Sequence, residues 1–365
     1  MGISAESVCL TSGATEAIYL VAQAFSGRRS CILSPTFSEY ADACRLHGHQ
    51  VQSIYTTDHL PEDVDIVWIC NPNNPTGAVL PHDEMKRLAA QHPDVLFVID
   101  QSYEDFTLRR LFSPHEAAAL PNVILLHSLT KRFGIPGLRV GYLTARREWT
   151  ARVRQNKMPW SVNTLALEAA LFLTEHEKDF RFDLQALLEE RARVARQLEA
   201  LHIAEVWPGE THYLLARLRM GKASALKDYL AETHGMLIRD AGNFEGLDER
   251  YFRIAVQSPE EDDRLLSAIG EWMFSHITTT MHSIIPLLIG WGLDLCTGDP
   301  ARLPHPIVAF RPLDQFFSNG KPTTGNHRRA KGTFLGPSPR SAPCSYPPIS
   351  PWPPYRAACL QWEIW

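Results

Sequence analysis

The chain has 365 residues, of which 45% are hydrophobic and 21% charged, with a formal net charge of −5; that is apolar material for one large globular domain or two moderate ones, and it excludes disorder throughout. Of the 26 prolines, 14 fall in the last 85 residues, which are net +4, whereas residues 1–280 are net −9. An acidic globular body therefore joins a basic, proline-rich tail, and the body offers no electrostatic reason to expect nucleic-acid binding.

In chain order, Thr11 or Ser12 can cap a helix whose apolar positions Ile18, Val21, Ala22 and Phe25 fall at helical spacing. Short apolar runs follow at Cys31–Leu33, Ile66–Cys70, Val95–Ile99, Val123–Leu126 and Val140–Leu143. Their continuity implies strands buried on both faces, the mark of an α/β fold with a mostly parallel sheet covered by helices. Several of these runs end in polar residues, Ser34-Pro35, Asn71-Pro72, Asp100 and His127-Ser128. In open α/β sheets ligands sit at the carboxyl ends of strands, so these are expected to converge. Residues 164–201 read as two helices, the second from Asp183 to Leu201, and strands are expected near His212–Leu218, Met236–Arg239 and Tyr251–Val256, with helical stretches between and after them, ending near Met273. The expected division is 1–160, 161–278 as a smaller α+β unit, 279–310, and 311–365 as a mostly irregular, disordered tail.

The seven cysteines are scattered without a CxxC pair, which suits a reducing cytoplasm better than a disulfide framework or a zinc site. No metal is expected. The start of the chain, Met1 to Glu6, has no basic stretch leading into an apolar core, so no signal peptide is expected. The longest apolar run, Ile284 to Leu295, contains Pro286 and Asp294, and a membrane span needs ~20 apolar residues.

Chemistry concentrates in four segments. Lys131 lies just beyond a buried strand in Ser128-Leu129-Thr130-Lys131, with Arg139 in the glycine-rich stretch that follows. Asn71-Pro72-Asn73-Asn74-Pro75-Thr76-Gly77 follows a second strand, Val98-Ile99-Asp100-Gln101-Ser102-Tyr103 ends a third, and Thr11-Ser12-Gly13-Ala14-Thr15-Glu16 opens a helix. Taken singly, each has an ordinary reading: a surface lysine, a turn, a strand-terminal aspartate, a capped helix. Together, in this order, they resemble the class I/II aminotransferase family of fold-type I pyridoxal-phosphate enzymes.

The resemblance implies pyridoxal 5′-phosphate as cofactor and Lys131 as its Schiff-base lysine. It implies Asp100 at the pyridinium nitrogen, keeping the ring an electron sink, with Asn74 and Tyr103 at O3′ and Phe37 stacked on the ring. Gly13, Ala14 and Thr15, with Ser128 and Arg139, would hold the phosphate. Arg253, in Tyr251-Phe252-Arg253-Ile254, would grip the substrate α-carboxylate. Lys157-Met158-Pro159-Trp160-Ser161-Val162-Asn163 and Leu237-Ile238-Arg239-Asp240-Ala241-Gly242-Asn243-Phe244 are similar to the branch of L-threonine-O-3-phosphate decarboxylases, in which arginines matching Arg239 and Arg253 both face the substrate. Asn74 would also contact it. The sister branch of histidinol-phosphate aminotransferases is the alternative.

A homodimer acting on a small phosphorylated amino acid is implied, within cobalamin biosynthesis. Family members extend several tens of residues ahead of the position matching Met1, so a catalytically weak cofactor-binding remnant is a further expectation. The stretch after Met281, Leu287 to Pro300, resembles the amino terminus of the adenosylcobinamide-phosphate synthase family, membrane proteins of the same route. A joined and then frame-shifted second reading frame is expected there.

Overall fold

The computed structural model describes residues 2–275 and the single position 289. Apart from that one position, the expected segments 279–310 and 311–365, the resemblance after Met281 and the expected proline-rich disorder lie outside the described residues. Strands β1 (Val8–Thr11), β2 (Arg29–Leu33), β3 (Gln50–Ile54), β4 (Ile66–Cys70), β5 (Leu96–Asp100), β6 (Val123–Ser128) and β7 (Gly141–Ala145) form one sheet in the order β1-β7-β6-β5-β4-β2-β3. The pairs from β3 across to β6 are parallel, and β7 runs antiparallel to both of its neighbours. The expectation of a mostly parallel sheet is met.

Helices α1 (Gly13–Ala24), α2 (Glu39–Leu46), α3 (His82–Gln91), α4 (Pro114–Ala119), the single turn α5 (Leu129–Arg132) and α6 (Arg147–Arg154) connect the strands. The central strands explain their continuous apolar runs. Trp68, Val98 and Leu126 pack with Ile18, Val21, Ala43 and Val153 of α1, α2 and α6 on one face. Val67, Ile99 and Leu125 pack with Met85, Leu88 and Ala117 of α3 and α4 on the other. Each such side chain contributes ~1.5–3 kcal/mol on burial, so the sheet's middle is a rigid platform and its strand ends can carry a site.

After α7 (Thr164–Glu175) and α8 (Leu184–Ala200), a second sheet is built from β8 (Ala204–Val206), β9 (Tyr213–Leu218), β10 (Arg239–Asp240) and β11 (Tyr251–Ala255), with α9 (Ala223–His234) between β9 and β10. Its order is β10-β11-β9-β8, all antiparallel. One core of Leu214, Phe252, Leu226, Leu266 and Trp272 joins it to its helices, including a last helix over 259–275. Asp183 caps α8, its carboxylate accepting from the Ala186 N–H at 3.0 Å.

Three sequence expectations change. Strands β1, β3 and β8 were not expected; the first two are the edges of the large sheet and are buried on one side only. Polar residues interrupt β3, whereas β1 carries only the short run Val8-Cys9-Leu10, with Leu10 exposed. The strand expected at Met236–Arg239 begins only at Arg239, because Gly235 in the left-handed region (φ 66°) ends α9 and the Met236 N–H returns to the Leu230 carbonyl at 3.0 Å. Neither Thr11 nor Ser12 caps α1 with its side chain: the Thr11 hydroxyl donates to the Gly13 carbonyl at 2.8 Å, and the Glu16 carboxylate accepts from the Ser12 N–H. No helix among the described residues is long and apolar enough to cross a membrane.

Candidate active site

At the carboxyl ends of the parallel strands lies a cavity of about 540 Å³. Its wall contains Ala14, Thr15, Phe37, Asn74, Asp100, Tyr103, Ser128, Lys131 and Arg139, nine of the twelve residues singled out in the sequence. Four separate segments thus converge on one space. Ser34 lies outside this cavity, and His127 faces away from it.

At one end is the start of α1. Among the described residues no side chain takes up the N–H groups of Gly13, Ala14 or Thr15, which leaves them for an anion. Gly13 has φ +77°, and a Cβ there would strike the Arg139 guanidinium. Arg139 itself is left-handed (φ 56°), a costly conformation for a residue with a Cβ. That conformation and a bond from Nη1 to the Pro136 carbonyl at 3.1 Å accompany a guanidinium lying beside Gly13. Gly141 completes the arrangement: a Cβ there would meet the Ala14 nitrogen at 2.9 Å, so only glycine lets β7 pass this close to α1.

The floor is Asp100, at the end of β5 and buried. Its Oδ1 accepts from the Ser102 N–H (2.8 Å) and hydroxyl (2.6 Å), and its Oδ2 accepts from the Tyr40 hydroxyl (2.8 Å). Burial pushes its carboxyl pKa up, against the pull of these donors. All three donors are neutral. Tyr40 and Ser102 were not foreseen. Ser102 was legible as an Asp-x-Ser turn, whereas Tyr40 needs the packing of α2 against Trp68, with ring centroids 5.8 Å apart.

In the asparagine-proline loop, Asn71 and Asn73 hold the loop in place and not a ligand. Asn71 exchanges two bonds with the Leu80 backbone (2.9 and 3.0 Å), and Asn73 donates to the Pro35 carbonyl and the Thr76 hydroxyl (2.9 and 2.7 Å). Asn74 is the asparagine on the cavity wall. Its Oδ1 accepts from Arg253 Nη1, leaving the amide NH₂ as a donor. Cys70 lies under this loop, its thiol pKa pushed up to about 12 mainly by burial, and so inert. Lys131 sits in α5 with Nζ 5.5 Å from the Tyr103 ring centroid.

Arg239 and Arg253 are not on the cavity wall. They are a cross-strand pair of β10 and β11, which puts both side chains on one face of the small sheet. Arg253 is buried, reaches Asn74 and lies 5.1 Å over the Tyr213 ring, while the Tyr213 hydroxyl donates to the Asn73 carbonyl at 2.8 Å. Arg239 is partly buried and donates to Asn243 Oδ1 at 3.1 Å; burial first, and the neighbouring Arg253 second, lower its pKa.

These features fit the cofactor expected from the resemblance. Free N–H donors with an arginine match a phosphate, the buried carboxylate held only by neutral donors lacks one positive charge that a pyridinium supplies, and the Asn74 amide offers a donor for a phenolate oxygen.

Comparison with known proteins agrees. The profile of the aminotransferase class I and II family matches residues 1–269. A threonine-phosphate decarboxylase of Salmonella typhimurium is 32% identical over 288 residues, covering 73% of this chain and 77% of that protein. The crystal structure of L-threonine-O-3-phosphate decarboxylase from Porphyromonas gingivalis superposes with TM-score 0.72 at 39% identity, covering 74% of this chain and 85% of the other. That of the histidinol-phosphate aminotransferase from Clostridium acetobutylicum gives 0.65 at 25% identity, covering 73% and 83%. The chain belongs to the class I and II aminotransferase family, and its cofactor is pyridoxal 5′-phosphate.

Proposed function

We propose that the protein decarboxylates L-threonine O-3-phosphate to aminopropanol phosphate, a step of cobalamin biosynthesis, as a cytoplasmic homodimer. The observation that carries this reading is the Arg239–Arg253 pair: two guanidinium groups in cross-strand register on one face suit a substrate with two anionic groups, a carboxylate and a phosphate. The similarity to two threonine-phosphate decarboxylases supports it.

Pyridoxal phosphate, when bound, supplies an electron sink for the pair left on Cα when a bond to it breaks. The rest falls to the chain. Gly13, Ala14, Thr15, Ser128 and Arg139 hold the phosphate, Phe37 covers the ring, and Asn74 and Tyr103 hold its oxygen. Asp100 keeps the ring nitrogen protonated. Lys131 would hold the cofactor through Nζ and, once the substrate amine is bound, would be free to act on a proton. The freed amine is then the group positioned to return a proton to Cα after carbon dioxide leaves. Arg253 and Arg239 hold the two anionic ends and thereby decide which Cα bond stands perpendicular to the ring.

A histidinol-phosphate aminotransferase is the second reading, favoured by the 25% identical solved structure. The two differ in chemistry. Carbon dioxide release from O-phospho-L-threonine supports the first; 2-oxoglutarate-dependent turnover of histidinol phosphate without such release overturns it. Arg239→Ala is expected to raise KM for O-phospho-L-threonine roughly 10- to 100-fold through the loss of one charge-assisted contact, and to lower kcat because the substrate is then held at one end only. An unchanged KM removes Arg239 from the substrate site.

The homodimer draws support from the exposed apolar side chains Met158, Trp160 (95% exposed) and Leu165. They flank Asn163, whose amide donates to the Leu138 carbonyl at 3.0 Å beside Arg139. Sedimentation velocity of the full chain reads the assembly state directly, and a monomer at working concentration would exclude it.

A further inference from the structure

His127 is the one histidine of the strand that leads to Lys131, and the chemistry above leaves it unused. It alternates with Leu126 and Ser128 along β6 and so faces away from the cavity. The imidazole is buried and engaged on every side. Nδ1 meets Glu104 Oε1 at 2.9 Å, Nε2 meets the Thr144 hydroxyl at 3.2 Å, and the ring stacks on Tyr142 with centroids 4.4 Å apart and planes at 14°. An ionised Glu104 can only accept, so Nδ1 carries the proton; the Thr144 hydroxyl can either donate or accept.

Glu104 directly follows Tyr103, whose ring faces Lys131 Nζ. One residue further, Asp105 accepts from Arg132 Nη1 at 2.8 Å. Residues 104 and 105 are therefore stitched to residues 127 and 132, on either side of Lys131. The lysine has little support of its own. It makes no side-chain hydrogen bond among the described residues, and α5 is four residues long with no side-chain cap. A turn this short is not self-stabilising. Its placement depends on the ties around it.

The geometry points to the Glu104–His127 pair as a positioning device: it holds the Tyr103 segment and the Lys131 turn in fixed relation, and full cofactor affinity requires it although neither side chain reaches the cavity. This rests on Lys131 being the attachment point of the cofactor.

The test compares wild type, Glu104→Ala, Glu104→Gln and Lys131→Ala in the full chain, reading three quantities: Tm without cofactor, the pyridoxal-phosphate dissociation constant, and the pH midpoint of the visible absorbance of the loaded protein. In Glu104→Ala the dissociation constant is expected to rise about tenfold or more, the scale set by a small misplacement at a reacting centre, with a shifted midpoint. Glu104→Gln, whose amide oxygen can accept the same Nδ1 proton, is expected to recover most of the affinity. A fall in Tm without change in affinity or midpoint overturns the proposal, as does Glu104→Gln being as impaired as Glu104→Ala. If Glu104→Ala does not fold, Glu104→Asp, which withdraws the carboxylate by one methylene, replaces it with the same readings. Lys131→Ala separates the two levels. A retained visible band overturns the lysine assignment, whereas a lost band together with an unaffected Glu104→Ala overturns the positioning role alone.

Discussion

Replacing Lys131 by alanine is expected to remove the visible absorbance of the cofactor-loaded protein and to lower turnover by roughly four orders of magnitude or more, about 5 kcal/mol in the barrier. The magnitude follows from how much one amine does. On the proposed assignment it would anchor the cofactor, give way to the substrate amine and carry the proton to Cα; groups acting in sequence at one centre lose nearly everything when one is removed. Stability should barely change. Among the described residues the side chain makes only a ring contact with Tyr103, 5.5 Å from its centroid, and such substitutions usually fall within ~0.5 kcal/mol. Lys131→Arg should fail equally, because a guanidinium stays protonated and cannot attack a carbonyl. The measurement is a spectrum after loading and dialysis, with carbon dioxide release from O-phospho-L-threonine and a melting curve alongside. A variant that retains a dialysis-resistant visible band would move the attachment to another lysine.

The parts of this molecule that are legible in its sequence are those governed by local pattern or by total burial. Strands β4 and β5 are buried at all ten positions, so their apolar runs stand out. The α8 cap needs only Asp183 and a helical pattern. Edge strand β3 is hidden because one side faces solvent and its polar residues break the run, whereas β1 offers only the three-residue run Val8-Cys9-Leu10 before Thr11. The cap of α1 misleads for a different reason: the Thr11 hydroxyl donates to the Gly13 carbonyl and the Glu16 carboxylate takes the Ser12 N–H, and among the described residues no side chain caps the first-turn N–H groups. At the site, Lys131, Asp100 and Asn74 are legible because turn chemistry and strand ends place them. Of the three donors around Asp100, the two from Ser102 follow from the local turn, whereas the Tyr40 hydroxyl depends on how α2 packs. The alignment of Arg239 with Arg253 is set by strand register across the turn between β10 and β11, and nothing local to either arginine announces it. His127 and Glu104 meet across 23 residues for the same kind of reason.

Asp100→Asn is expected to move stability and activity in opposite directions. Without cofactor, the carboxylate is buried against neutral donors and its pKa is raised by that burial. The folded state then holds a proton that the unfolded chain has already released, so the stability tied to the protonated form is present at low pH and is lost as pH rises through the folded pKa. Asparagine cannot ionise. Its oxygen can keep the Ser102 N–H bond, and its NH₂ can donate to the Tyr40 hydroxyl, which accepts as readily as it donates. The cofactor-free variant should therefore melt higher than wild type at neutral pH and lose less stability as pH rises from the carboxylate range. Loading the cofactor should reverse the ranking, because a pyridinium gives the carboxylate the positive partner it lacks, and the variant has no charge to pair with it. For the same reason the variant holds the ring nitrogen unprotonated, the electron sink weakens, and kcat should fall about three orders of magnitude, ~4 kcal/mol. Melting curves across pH with and without pyridoxal phosphate, together with carbon dioxide release, test both halves. A variant with kcat within tenfold of wild type would show that Asp100 does not govern the ring nitrogen. A variant that melts lower without cofactor would show that the Ser102 and Tyr40 bonds outweigh the cost of burying the charge.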